Sequence, residues 1–92
     1  MGTFFIDTAT GQVSTQRQLI DAGLASAEQP PVAPWHRIQG PSDASTMWYA
    51  VLRKQVRGVY IGTLTIRHGT HHASLLQDGW VEVAVDQIAA RP

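Results

Sequence analysis

TMWYAVLRKQ (46–55), VRGVYIGTLTIRHGTHH (56–72) and ASLLQDGWVEVAVD (73–86) run as one stretch that decides the fold. Two of the three tryptophans, both tyrosines and more than half of the β-branched residues fall within it. From Met47 to Lys54 the pattern alternates. Met47, Tyr49 and Val51 take one face, and Trp48, Ala50 and Leu52 take the other. Both faces are apolar, which predicts a strand covered on both sides. Residues 56–68 read as the longest strand, with Val56, Tyr60, Leu64 and Ile66 on one face and Val59 and Ile61 on the other. Gly58 and Gly62 mark bulges or a close backbone approach. Gly69-Thr70 begins a turn, and residues 73–77 pair back. Asp78-Gly79 signals a two-residue hairpin. Residues 80–85 alternate with Val81, Val83 and Val85 on one face, which Ile88 extends, and the ending AARP is expected to fray. Trp48 and Leu64 are expected in the core. The class is mainly β: a small antiparallel β-sandwich or barrel-like meander.

Upstream, residues 3–7 form a short apolar run suited to a strand or to an arm that pairs with a sheet edge. DTATG at 7–11 is turn chemistry, and Val13 opens a short second strand. Ser14 or Thr15 can cap a helix, and of the pairs Ser14 with Arg17 and Thr15 with Gln18 the second has the residue types of a capping box. Leu19 and Ile20 give a narrow apolar stripe, and Gly23 is a left-handed stop. One short helix is therefore expected near residues 15–22. Residues 25–34 (ASAEQPPVAP) carry three prolines, which favour an extended, stiff connector. Trp35, His36 and Ile38 then make a short strand ended by the Gly40-Pro41 turn. A single domain over residues 1–92 results, with an arm and helix at 1–24, a proline-rich linker at 25–34 and a β core at 35–88.

At 92 residues the chain forms one domain of thin stability margin, burying little more than about 60% of its unfolded surface. Apolar residues make up 43% and charged ones 15%, below the roughly 25% typical of soluble domains, so more neutral surface than usual is left for burial against other subunits. Seven cations balance seven acids, which gives no global charge for nucleic acid or acidic lipid. The charge is uneven, however. No acid lies between Asp43 and Asp78, while Arg53, Lys54, Arg57, Arg67 and three histidines do. Those cations are either solvated strand positions or a basic face for an acidic partner. Without cysteine there is neither a disulfide nor a thiolate metal site. No apolar run reaches membrane-spanning length, and the first residues do not resemble a signal peptide or a myristoylation site.

His68, His71 and His72 are the most chemical-looking group, since imidazole suits zinc, nickel or copper. A structural zinc site wants four ligands, and only His36 remains to complete one, so no metal and no cofactor is expected. Ser74 with His72, Ser42, Asp43 and Ser45, and Asp78 with Glu82 offer isolated pieces of acid–base or nucleophile chemistry. None has an orienting partner in a recognisable motif, so no catalytic residue and no enzyme is expected. Trp35, Trp48, Tyr49, Tyr60 and Trp80 beside Arg53, Lys54 and Arg57 could stack bases. Aromatics in alternating strands are core first, and neutral net charge argues against sequence-specific nucleic-acid binding.

R-GVYI-GTLTIRHGT at 57–70 resembles a hairpin found in structural proteins of tailed-bacteriophage virions. The likeness is carried by Gly62, Thr63, Leu64, Thr65, Ile66, His68, Gly69 and Thr70, with Val81, Val83 and Val85 as the returning strand. The resemblance implies a virion structural subunit (capsid, neck or tail component), assembled in the host cytoplasm with other virion proteins, including copies of itself. A small adaptor or inhibitor domain that binds one host protein is the alternative. Phe4, Phe5, Ile6, Trp35, Arg53, Lys54 and Arg57 are the candidate interface residues. For the first three, two placements stay open: an arm swapped onto a neighbour, which the connector of about 30 Å allows, or an edge strand of the chain's own sheet.

Overall fold

Phe4, Ile6 and Val13 at the N-terminus share one core with Ile38, Val51 and Val83 from the rest of the chain. The computed structural model describes residues 3–41 and 45–84. In it, β1 (Phe4–Asp7), β2 (Val13–Thr15) and β3 (Trp35–Arg37) make one antiparallel sheet in the order β2-β1-β3. Strands β4 (Tyr49–Val56), β5 (Val59–Ile66) and β6 (Val81–Glu82) make a second, in the order β5-β4-β6. The predicted β-rich, sandwich-like class holds. The second sheet is not a simple meander, because β6 pairs with β4 rather than with β5.

The short helix forms where predicted. It is α1 (Gln16–Asp21), and both halves of the capping box are present. The Gln18 amide donates to Thr15 Oγ1 at 3.1 Å, and the Thr15 amide to Gln18 Oε1 at 2.9 Å. Gly23 donates to Ile20 and Leu24 to Leu19, closing the helix in a Schellman pattern.

Residues 3–7 are neither arm nor edge. β1 is the central strand of its sheet, with β2 on one side and β3 on the other. Phe4, Phe5 and Ile6 are all buried, so the swapped-arm expectation is corrected. The connector does not hold this unit away. A turn at Ser26–Gln29 bends it, and the Thr8 amide donates to the Pro34 carbonyl at 2.9 Å. The chain is thus brought back so that Trp35–Arg37 pairs with β1. The division into arm, linker and core therefore gives way to a core built from both ends of the chain.

Strands β4 and β5 pair without interruption from Val56↔Val59 to Tyr49↔Ile66, so no bulge occurs at Gly58 or Gly62. Arg57 and Gly58, at φ 53° and 81°, form a two-residue turn of the I′ kind, which splits the predicted long strand. At Gly62 the close approach is real. A β-carbon there would sit 2.8 Å from Ile38 Cδ1.

Residues 70–77, expected as a turn and a returning strand, are the helix α2 (Thr70–Gln77). Asp78-Gly79 is its C-terminus rather than a hairpin. Gly79, at φ 93°, donates to Leu76, and Trp80 donates to Leu75. Eight residues without a charge or a strong period read equally well as strand or helix; the left-handed glycine serves both. Lys54 Nζ donates to the Asp78 carbonyl at 2.8 Å, placing a cation at the helix's negative end. By alternation, Val51 and Leu64 face the shared core and Ala50 and Leu52 face the other way. Ala50 and Leu52 are completely buried, and α2 is tied to that side through His72 on Glu82, which pairs with Leu52, and through Lys54. Trp48 is 67% exposed, against expectation. It lies in the turn before β4, with its amide on the Ser45 carbonyl, so strand alternation does not yet govern it. Leu64 is half-buried and packs on the core. The predictions for Ser42, Asp43, Val85, Ile88 and AARP lie outside the described residues.

Candidate interaction surface

The candidate interface residues separate into three groups. Phe4, Phe5 and Ile6 are core and present nothing to a partner. Trp35 is half-buried at the start of β3. Arg53, Lys54 and Arg57 lie along the β4–β5 hairpin, but two of them have internal work. The Arg53 guanidinium donates to the Gly11 carbonyl and sits 6.0 Å from the centre of the Tyr60 ring. Lys54 caps α2 as described. Arg57 alone is exposed at the hairpin tip, in a left-handed conformation that Asn or Gly adopts at lower cost. Exposed Val56, Val59 and Ile61 flank it, so the tip is an apolar finger with a cation at its end.

Beside Arg53 lies a shallow hollow of about 300 Å³ lined by Thr10, Gln12, Val13, Arg53 and Val83. Among the described residues that line it Arg53 is the only charged one, and they offer no acid–base pair.

The histidines do not converge as a set, although the His68 and His72 ring centroids lie 6.2 Å apart. His71 is exposed, and His72 is the buried residue of α2. The His68 amide donates to His72 Nδ1 at 3.0 Å, which leaves Nε2 as the protonated nitrogen, and that nitrogen lies 3.1 Å from Glu82 Oε1. Glu82 Oε2 pairs with Arg67, whose Nε donates to the Thr46 carbonyl at 2.8 Å. Burial pushes the Glu82 carboxyl up, but the Arg67 hydrogen bond and charge, with His72, outweigh it and hold the group below the usual glutamate range. Both imidazole nitrogens are spent, so a nearby Ser74 has no base to use. The network is a clamp joining the turn before β4, the end of β5, β6 and α2. Sequence reasoning missed it, because Arg67, His72 and Glu82 converge only once α2 returns the chain to β4. Among the described residues no group of three or more His, Asp or Glu side chains is placed to hold a metal ion. None of the described helices is long and apolar enough to cross a membrane.

The outer edge of β5 is the most open surface. The two-residue turn makes Val56↔Val59 a hydrogen-bonded pair, so odd-numbered residues of β5 bond to β4 and even-numbered ones point outward. Arg67 continues the first set by donating to Trp48, and Tyr60 belongs to the second, donating to Thr8 at 2.9 Å. The outward amides and carbonyls of Gly62, Leu64 and Ile66 have no partner among the described residues. VYIGTLTI contains no charge and no proline, and its pairing contains no bulge. Those are the devices by which edge strands are normally kept apart. Ile66, at its end, is 62% exposed. Compared with known proteins, the chain matches no family model, no curated protein and no solved structure.

Proposed function

We propose that the chain is a structural subunit acting through protein–protein assembly contacts rather than through catalysis. The observation that carries this reading is the uncharged, unbulged outer edge of β5. An edge of this kind adds a strand from a partner by main-chain hydrogen bonds. The likeness of residues 57–70 to tailed-phage virion hairpins supplies the setting: a capsid, neck or tail component of a phage particle, built with other virion proteins and copies of itself. The low charge fraction supports extensive subunit burial. A second reading, an adaptor or inhibitor domain for one host protein, is favoured by the basic apolar finger at Val56, Arg57, Val59 and Ile61.

Solution mass of the purified chain, combined with capture from host lysate, separates the two. A multimer is the expected result. A clean monomer that retains a single host protein, and loses it on Arg57→Glu, overturns the assembly reading in favour of the adaptor.

A further inference from the structure

We infer that the partner strand at the β5 edge is β5 of a second copy, paired antiparallel about a two-fold axis at Leu64, giving a continuous six-stranded sheet. This rests on the assembly reading and specifies its first contact.

The register follows from which groups are open. Gly62, Leu64 and Ile66 point outward and are unpaired among the described residues, whereas the Tyr60 amide is already held by Thr8. With Leu64 opposite Leu64 of the partner subunit, Gly62 faces Ile66 of the partner subunit and the reverse. All three open residues then exchange both main-chain bonds, and Tyr60 keeps its own. Sliding the register by two residues toward the turn sets Ile66 opposite the occupied Tyr60 and forfeits those bonds. Sliding it two residues the other way sets Ile66 opposite Leu64 of the partner subunit and leaves Gly62 opposite a position beyond the end of the strand.

The side chains agree with this register. Ile66, exposed in the single chain, comes beside Gly62 of the partner subunit, which has no side chain of its own and is covered by the apolar Ile38 with Ile6 close by, so the isoleucine gains apolar neighbours. Thr63 stands opposite Thr65 of the partner subunit, a favourable cross-strand pair. Arg67, already neutralised by Glu82, meets Ile61 of the partner subunit, so no two cations oppose each other. An unrelated partner strand would not be held to this two-fold match of open residues, space and charge.

The test is amide hydrogen exchange by NMR on the unmodified chain over a dilution series, with sedimentation equilibrium alongside. The expected result is a two-copy mass at high concentration, with the Gly62, Leu64 and Ile66 amides protected there and unprotected on dilution. The Tyr60 amide should not change. Ile66→Pro removes only an outward donor, which an edge strand tolerates, and is expected to give a monomer with the parent's circular dichroism. If that variant fails to fold, the exchange measurement on the unmodified chain still decides. A multimer whose three amides exchange equally at all concentrations overturns the inference and leaves the assembly reading intact. A chain that is monomeric at every concentration also overturns it; the assembly reading falls only if that monomer retains a single host protein as well.

Discussion

β1 and β5 are both apolar strands nearly free of charge, yet one is sealed and the other open. β1 is four residues long and has a neighbour on each side. β5 is twice that length, is paired along one side only among the described residues, and carries exposed Val59, Ile61 and Ile66. Apolar character alone therefore does not say which strand is interior. The difference lies in who supplies the second edge. For β1 the chain does so itself, by folding residues 25–34 back. For β5 the described residues supply a single bond, from the Tyr60 amide to Thr8, and then diverge.

The sharpest way to break this contrast is to truncate the sealed strand. Phe4 is 1% exposed, so Phe4→Ala should cost about 3–5 kcal/mol in denaturant unfolding. A small loss would mean that β1 is detachable after all. Next is the open strand. Leu64 is only half-buried, so Leu64→Ala should cost about 1–2 kcal/mol in the monomer, below the ~2–5 kcal/mol of an enclosed leucine. Equal costs for the two variants would erase the distinction.

A similar effect is expected at the clamp that ends β5. Glu82→Gln weakens the Arg67 pair and should cost about 1–2 kcal/mol at neutral pH. The Glu82 carboxyl is held below its unfolded range, so its contribution is fully present above the unfolded value and is lost as pH falls through the folded one. Parent and variant should therefore converge in acid. A gap that persists there would place the stabilisation elsewhere. The smallest effect is expected at Trp48→Ala, within about 0.5 kcal/mol, because the ring is largely in solvent. A large loss would return Trp48 to the core that its neighbours in sequence suggested.

The sequence by itself determined the β-rich class, the capping box at Thr15 and Gln18, the glycine stop at Gly23, and the doubly covered centre of β4. Each of these is a local matter: a spacing, a cap or a left-handed glycine acts within a few residues. The candidate interface was less legible. Of the candidate interface residues Arg57 is exposed, whereas Phe4, Phe5 and Ile6, which the pattern leaves open between a swapped arm and an edge strand, are core. The helix at residues 70–77 was hidden because THHASLLQ has neither a side-chain cap nor a decisive period. Only the tertiary structure decided that β1 is central, that β6 joins β4, that Arg67, Glu82 and His72 meet, and that Gly62, Leu64 and Ile66 keep an open edge. Those outcomes depend on which distant segments become neighbours. Strand pairing is set by main-chain hydrogen bonds that every residue except proline offers alike, so the residues of a strand do not name their partner.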